Sequence, residues 1–309
     1  MVVFPNAKIN LGLNVIAKRP DGYHDIETLV YPVGLSDALE VIPAPDGIFE
    51  FTSSGLPIPG EPDENLCVRA CQLLAPAIFN TKSGIRDPAS DFGHPTSVIG
   101  HPSSVIGHPS SVIGHRSSKL PPVKIHLHKA IPMGAGLGGG SSDGAYMLKL
   151  MNELFHLGLS TGQLQDYARL LGSDCAFFIE DKPVLAFEKG DRFLPLETDL
   201  TKYSFVIVVT DIHCSTAESY AAVNPKKPSI RITDIIQDPV EKWNVELTND
   251  FEKPVFSSYP EIEKIKEKLY SAGALYASLS GSGAAVYGIF KVILPISGLF
   301  PGCFVWTSD

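Results

Sequence analysis

The sequence predicts an α+β protein of two lobes around one cleft, and three observations support this fold class. The chain has 309 residues, which is near the size at which chains divide into two domains. Strand-like alternation and helical apolar spacing occur in turn along it. Its 44% apolar and 19% charged residues are typical of a folded globular protein and exclude a disordered or coiled-coil chain.

Charge and cysteine usage limit the class of protein. The formal net charge of −9 disfavours nucleic acid or an anionic membrane as the main partner. The five cysteines are odd in number and lack the spacing of a zinc ribbon or a CxxC site, which predicts reduced thiols in the cytoplasm. No apolar run approaches the ~18 residues of a membrane helix, and no basic signal-peptide segment opens the chain.

The amino-terminal segment alternates between apolar and polar residues, which predicts a half-buried strand. Its apolar positions are Ala7, Ile9, Leu11, Leu13 and Val15. Lys8 and Asn10 therefore share the opposite face. Asp21-Gly22 predicts a turn, after which residues 24–33 return as a second strand with Tyr23 and His24 at its mouth.

Residues 64–79 carry apolar groups at helical spacing and predict a short helix. A low-complexity insertion follows at about residues 87–119, where a seven-residue unit recurs between residues 93 and 118. Glycine and proline in every unit exclude a helix, so we predict a mobile surface insertion. Its histidines at positions 94, 101, 108 and 115 could bind metal adventitiously, and we predict no functional metal site there.

The middle of the chain predicts a strand, a glycine loop and a helix in that order. Residues 123–127 alternate as a strand, the loop spans residues 132–142, and residues 145–155 have helical spacing. A capping box at Ser160 then opens a second helix, which Gly172 ends. Further on, we predict strands at residues 205–209, 276–279 and 286–290 and a helix at residues 260–273.

The glycine loop is the strongest chemical signal. Glycine permits close backbone approach to phosphate oxygens, and the helix start adds free N–H donors and a positive dipole end. The predicted phosphate-binding residues are Pro132, Met133, Gly134, Ala135, Gly136, Leu137, Gly138, Gly139, Gly140, Ser141 and Ser142.

Other glycine loops fit this segment less well. The segment matches G-x-G-x-x-G, but no second strand with an acidic residue follows about 20 residues later, as a dinucleotide site requires. A Walker loop needs a lysine that is missing here, and a protein kinase needs Asp-Phe-Gly after its loop, whereas Asp91-Phe92-Gly93 precedes this one. A glycine-rich turn with no ligand would cost conformational entropy on folding and provide no binding in exchange, so it is the weaker explanation.

Four parts of the chain resemble the 4-diphosphocytidyl-2-C-methyl-D-erythritol kinase family of GHMP kinases. Residues 5–11 with 21–24 look like its amino-terminal signature, and residues 132–145 like its ATP loop. Residues 171–178 resemble its catalytic aspartate segment, and residues 280–284 resemble the GHMP glycine motif. The likeness covers nearly the whole chain except the repeat.

The resemblance implies a two-lobed GHMP kinase fold with its active site in the cleft, an amino-terminal lobe at residues 1–180 and a carboxy-terminal lobe at residues 181–309. It also implies ATP-dependent phosphorylation of the 2-hydroxyl of 4-diphosphocytidyl-2-C-methyl-D-erythritol, a step of the non-mevalonate isoprenoid route. Phosphoryl transfer mainly requires positioning and neutralised charge. Mg²⁺ is expected beside Ser141 or Ser142.

The resemblance also assigns roles. Asp174 would take the proton of the attacking hydroxyl or orient it, and Lys8 would stabilise the developing charge. Asn10 would hold the erythritol end of the substrate. The cytidine site would consist of Tyr23, His24, Tyr220 and Thr216, the last two by a looser match.

Plainer explanations remain open at this stage. Lys8 and Asn10 could line a solvated strand face, Asp174 could cap the next segment, and Tyr23 and Tyr220 could be core residues. The alternative functions are another GHMP kinase, of the homoserine or mevalonate type, and a non-catalytic ligand-binding protein.

The chain departs from the family pattern at three positions. Gly144 replaces the usual alanine, at a helix cost of about 1 kcal/mol. Cys175 and Ala176 replace valine and proline.

Overall fold

A computed structural model of the chain describes residues 1–74, 120–292, 296 and 298–308. The insertion and residues 75–79 of the helix predicted at residues 64–79 lie outside these residues. The strands are β1 (Val2–Val3), β2 (Asn6–Lys18), β3 (His24–Ser36), β4 (Ala38–Pro43), β5 (Glu50–Gly55), β6 (Val123–Lys129), β7 (Val184–Glu188), β8 (Arg192–Pro195), β9 (Ser204–Val209), β10 (Tyr276–Leu279), β11 (Ala285–Phe290) and β12 (Phe304–Thr307). The helices are α1 (Leu66–Leu74), α2 (Gly139–Leu154), α3 (Thr161–Leu171), α4 (Phe177–Glu180), α5 (Thr216–Ala222), α6 (Ile232–Ile235), α7 (Trp243–Glu246), α8 (Glu252–Ser258) and α9 (Pro260–Ser271).

The described strands form three four-stranded sheets, which confirms the α+β class. Their strand orders are β1-β4-β6-β5, β2-β3-β7-β8 and β10-β11-β9-β12. Apart from the parallel pair β5 and β6, neighbouring strands are antiparallel.

The first sheet packs on helices through one face. Leu39, Ile125 and Leu127 of this sheet share a buried cluster with residues of α1, α2 and α3. The other face carries the partly exposed His126 and the exposed His128, which hydrogen-bond to serine and threonine hydroxyls of β5. These two histidines are therefore outer-face residues of the sheet.

The third sheet is covered on both faces. One face packs on β2 and β3, where Ile9 and Leu29 share a cluster with Ile207 and Tyr287. The opposite face packs on α8 and α9 through residues such as Val206 and Leu269. The second sheet therefore lies between the helices of the amino-terminal part and the carboxy-terminal sheet. Its strands β7 and β8 follow residue 180, so sheet pairing crosses the proposed lobe boundary.

Strand β2 corrects the prediction of a half-buried strand. Lys8 and Asn10 are 5% and 4% exposed, because the opposite face of the strand is covered as well. The single alternation is also interrupted by a bulge at Gly12, where Leu11 pairs with Leu29 and Leu13 with the adjacent Thr28. Leu13 therefore packs in a different cluster from Leu11.

Helix boundaries agree with the predicted caps, with one difference. Ser160 and Gln163 form the predicted capping box at the start of α3. Gly172 ends that helix with φ of 173°, which is extended backbone rather than the left-handed cap expected of glycine. At Gly144, a Cβ would lie 2.9 Å from Leu66 Cβ, so the missing methyl group allows α1 and α2 to pack closely.

Among the described residues, no helix is long and apolar enough to cross a membrane. All five cysteines lie in this part of the chain and are free thiols.

Candidate active site

The glycine loop is held between two other parts of the site. The Leu137 carbonyl accepts a hydrogen bond from the Lys8 backbone N–H at 2.9 Å. Gly138 has φ of 72°, and a Cβ there would lie 2.9 Å from Phe178 Cζ and 3.1 Å from Lys8 Cγ. Glycine is therefore needed at this position both for its backbone conformation and for close contact with the strand that carries Lys8.

The carboxy-terminal glycine motif packs directly on the loop. Ser280 Oγ donates to the Gly136 carbonyl at 2.9 Å, and the Ala285 N–H donates to the Ala135 carbonyl at 3.0 Å. A Cβ on Gly136 would lie 2.0 Å from the Ser280 carbonyl oxygen. The two glycine-rich segments, far apart in sequence, therefore form one continuous backbone surface.

A chain of hydrogen bonds orients the buried Lys8. Its Nζ donates to Asn10 Oδ1 at 2.6 Å, and Asn10 Nδ2 donates to Thr28 Oγ1 at 3.1 Å. Thr28 in turn donates to the Gly12 carbonyl at 2.6 Å. The Gly12 carbonyl, at the bulge, is thus the last acceptor in this series of hydrogen bonds. The series holds the lysine amine in one place.

Asp174 meets Lys8 from the far side of the loop. The Lys8 Nζ lies 3.7 Å from Asp174 Oδ2, and the side chains are 6% and 50% exposed. The next helix, α4, has Ala176 as its N-cap residue and no side-chain cap, so Asp174 does not serve as the cap considered above. The pair combines a buried cation with a carboxylate that is open to solvent.

The predicted cytidine residues lie beside this pair. The rings of His24 and Tyr220 stack with centroids 4.8 Å apart and planes at 21°. Tyr220 also meets the edge of Phe251 at 4.8 Å. Burial and the nearby charge of Asp174 raise the pKa of Tyr220 to about 12, which places this ring close to the carboxylate.

Tyr23 and Thr216 occupy the rim of the same region. Tyr23 is 60% exposed, with the Lys189 amine 5.2 Å from its ring centroid, so it is not a core residue. Thr216, at the start of α5, accepts a hydrogen bond from Ser282 of the carboxy-terminal glycine motif at 3.1 Å. The helix α5 is thereby tied to the loop region.

The start of α2 offers groups that could bind phosphate or a metal ion. Ser142 is fully buried, and its Oγ has no hydrogen-bond partner among the described residues. Ser141 shares a hydrogen bond with the thiol of Cys175. An unpaired hydroxyl at the end of a glycine loop fits an ATP·Mg²⁺ complex, since hydroxyl and phosphate oxygens suit that ion.

A cavity of about 100 Å³ adjoins the loop on its other side. Its lining is mixed: Ile58, Pro59, Leu66, Met133 and Gly140 contribute apolar surface, and Glu64, Asn65, Lys129 and Asp143 contribute polar groups. No cluster of three or more His, Cys, Asp or Glu side chains in the described part of the chain is placed to hold a metal ion.

Two residues of the site, Thr28 and Phe251, were not predicted from the sequence, and Ser282 was predicted only as part of the glycine motif at residues 280–284. Thr28 carries a buried hydroxyl group. The only sequence signal for it was a polar residue within an apolar strand. Phe251 and Ser282 reach the site only through tertiary packing. The predicted site residues on β2, β3, α5 and the two loops otherwise lie in one region, and their roles stay predictions.

Comparison with known proteins defines the class first. The model of the GHMP kinase N-terminal domain matches residues 109–181, and that of the GHMP kinase C-terminal domain matches residues 238–292. A crystal structure of a mevalonate kinase, 14% identical, covers 99% of this chain and 98% of its own with a TM-score of 0.66, which supports the fold alone. The fold is that of a GHMP kinase.

Two further comparisons define the family. A 4-diphosphocytidyl-2-C-methyl-D-erythritol kinase of Azobacteroides pseudotrichonymphae is 46% identical over 94% of both chains. The crystal structure of a 4-(cytidine 5′-diphospho)-2C-methyl-D-erythritol kinase is 26% identical, with a TM-score of 0.73 over 99% of this chain and 98% of its own. The chain belongs to the 4-diphosphocytidyl-2-C-methyl-D-erythritol kinase family.

Proposed function

We propose that the chain transfers the γ-phosphoryl group of ATP to the 2-hydroxyl of 4-diphosphocytidyl-2-C-methyl-D-erythritol. The observation that carries this proposal is the Lys8–Asp174 pair, 3.7 Å apart at the glycine loop, with the His24–Tyr220 stack beside it. A phosphate cradle, a charged pair and an aromatic platform match the triphosphate, the reacting hydroxyl and the pyrimidine of the two substrates.

In the reaction, the substrate hydroxyl oxygen forms a bond to the γ-phosphorus while the bond from that phosphorus to the β–γ bridging oxygen breaks. The hydroxyl proton passes to Asp174, whose half-exposed carboxylate can release it to water. Lys8, fixed by Asn10 and Thr28, places its positive charge against the oxygen as negative charge develops there. Asn10 therefore orients the lysine besides its proposed contact with the erythritol unit.

The nucleotide would lie along the glycine loop. Backbone N–H groups of residues 134–141 would face the phosphates, and the cavity beside Leu66 and Met133 would receive part of the base. We propose that Ser142 contacts the phosphates or Mg²⁺ through its unpaired Oγ. The metal ion, when bound, supplies positive charge to the transferred phosphoryl group.

The cytidine end would be bound by Tyr23, His24 and Tyr220, with Thr216 at its edge. An imidazole can hydrogen-bond to the edge of the base, and a tyrosine ring can stack on its face. The five free thiols support our expectation of a cytoplasmic protein.

The experiment that tests the proposal measures ADP release with ATP, Mg²⁺ and each of three alcohols: 4-diphosphocytidyl-2-C-methyl-D-erythritol, mevalonate and homoserine. We expect turnover with the cytidyl alcohol only, and its loss in Asp174→Ala. Turnover with another alcohol would change the proposed substrate, and nucleotide binding without any turnover would indicate a binding protein.

A further inference from the structure

A buried group of three charged side chains lies beneath the glycine loop, and none of the residue roles above uses it. Two of its members, Lys129 and Asp143, also line the small cavity beside the loop. Lys129, Asp37 and Asp143 are each at most 2% exposed. The Lys129 Nζ donates to Asp37 Oδ2 at 2.5 Å and to Asp143 Oδ2 at 2.8 Å. We call these three residues the charged triad.

The triad connects the two ends of the loop. Asp37 Oδ1 accepts hydrogen bonds from the backbone N–H groups of Ala130 and Ile131, at 2.6 Å and 2.9 Å, just before the loop. Asp143 lies on α2, just after the loop. A Cβ on Gly139, the first residue of α2, would lie 3.1 Å from the Lys129 Nζ. The segments just before and just after the loop are therefore both linked, through Asp37 and Asp143, to the Lys129 ammonium group.

A contribution to stability does not by itself explain the triad. One cation serves two buried carboxylates, and Asp143 Oδ1 has no hydrogen-bond partner among the described residues. Burial raises the pKa of Asp143 to about 7 against the opposing charge of Lys129, and the charge of Asp37 adds to the rise. Buried ion pairs are often no more stabilising than apolar residues of similar volume, so a role in geometry is the better explanation for this one.

We propose that Lys129, Asp37 and Asp143 are positioning residues for the nucleotide: they hold the two ends of the glycine loop so that its N–H groups meet the phosphates. This inference rests on the proposed function, because it takes ATP as the ligand of the loop. It predicts an effect on nucleotide affinity that acts through the backbone of residues 132–142. The site proposed for the cytidyl alcohol shares no residue with the triad, so binding of that alcohol should be unaffected.

The test uses Asp37→Asn and Asp143→Asn in the full chain. Asp37→Asn loses the charge opposite Lys129 and can turn an N–H group toward it, so we expect ADP affinity, measured by calorimetry, to fall about tenfold. Asp143→Asn should change it in the same direction but less, because Lys129 keeps Asp37. The KM for ATP should rise in parallel while the KM for the cytidyl alcohol stays unchanged. Amide hydrogen exchange in residues 132–142 should accelerate.

The control is Lys266→Met, which removes a partly buried ion pair of 2.7 Å with Glu252 far along the chain. It should lower the melting temperature without changing ADP affinity. Folded triad variants that melt earlier but bind ADP within about twofold of the wild type would overturn the proposal. Failure of both variants to fold would overturn it too, since the triad would then be structural.

Failure of the proposed function is distinguishable from failure of this inference. A wild-type protein that binds ADP but phosphorylates no cytidyl alcohol contradicts the function, while the comparison of ADP affinities still decides the role of the triad. A wild-type protein that binds neither ADP nor ATP would contradict both.

Discussion

At the residue scale, the site depends on how one buried lysine is held. Lys8 donates to Asn10, whose amide donates to Thr28, and no exposed side chain takes part in this chain of bonds. A long, flexible side chain is thereby confined to one orientation. The carboxylate 3.7 Å away is half-exposed, so the two partners experience different solvent environments.

Replacing Lys8 with Met should lower kcat about 10²- to 10³-fold with a small change in either KM, because a charge that acts mainly in the transition state is lost. Steady-state kinetics with both substrates measures this. Lys18→Met, at the exposed end of the same strand, is the matched control and should retain wild-type rates. A kcat within about tenfold of the wild type in Lys8→Met would rule out the proposed role of this lysine.

Asp181 allows a test of pH dependence away from the site. Burial raises the pKa of Asp181 despite hydrogen bonds from Asn6 and Tyr146 and the nearby charge of Lys149. The folded state therefore binds this proton more tightly than the unfolded state, whose aspartates titrate near pH 4. The stability that Asp181 contributes is present at low pH and is lost as the pH rises through its folded pKa.

In Asp181→Asn, the free energy of unfolding relative to the wild type should thus increase from about pH 4 toward neutral pH. Asparagine suits the left-handed backbone at this position, where φ is 55°. Urea unfolding at several pH values measures the difference. Asp199→Asn should give the opposite slope in a lower window, below about pH 4, since hydrogen bonds from Thr201 lower the pKa of Asp199. A flat or falling difference for Asp181→Asn would contradict the argument.

At the element scale, the contact between the two glycine-rich segments sets the shape of the phosphate site. Apart from the first turn of α2, which begins at Gly139, neither segment is a regular element, so their conformations depend on each other. Gly136, with φ of 84°, lies against the Ser280 backbone, and Gly283 lies against Ala135 just as closely. Glycine in both segments is required for this approach.

Gly136→Ala should therefore destabilise the fold by about 2 kcal/mol or more, through backbone strain and a collision with the Ser280 carbonyl. ADP affinity should fall as well. Gly162→Ala is the matched control: a Cβ there would meet no atom within 4 Å, and we expect a gain of about 0.5 kcal/mol. Thermal unfolding and calorimetry measure both effects, and an alanine at position 136 without effect would show that the loop can move aside.

At the scale of the whole molecule, the candidate cytidine site joins distant parts of the chain. His24 begins β3 of the second sheet, whereas Tyr220 lies on α5, which follows the third sheet's strand β9. Their rings stack directly, and Phe251 of the carboxy-terminal part supports Tyr220 from its edge. The aromatic surface exists only when these parts are assembled.

Tyr220→Leu should raise the KM for the cytidyl alcohol about tenfold or more, because stacking of a base on an aromatic ring is worth about 1–3 kcal/mol. The KM for ATP should not change, since Tyr220 is not among the residues proposed to bind the nucleotide. Tyr220→Phe keeps the ring and should behave like the wild type. Equal KM values for the cytidyl alcohol in the leucine variant and the wild type would exclude Tyr220 from the substrate site.

Much of the fold could be predicted because its signals are local. Apolar spacing predicted β6 and α2, and the capping box at Ser160 predicted the start of α3. Lys8 and Asp174, by contrast, are ordinary residues whose roles followed only from the family resemblance. Their approach to 3.7 Å needs the chain to return to β2 after more than half its length.

The sequence by itself determined the class of elements, the phosphate-type loop and the family, because periodicity, glycine content and motif spacing are properties of short segments. Only the tertiary structure decided that Lys8 is buried, that the bulge at Gly12 ends its hydrogen-bond chain, and that Lys129 joins two aspartates under the loop. Burial and charge pairing depend on which distant segments pack together, and the sequence of a short segment does not show which segments will pack against it.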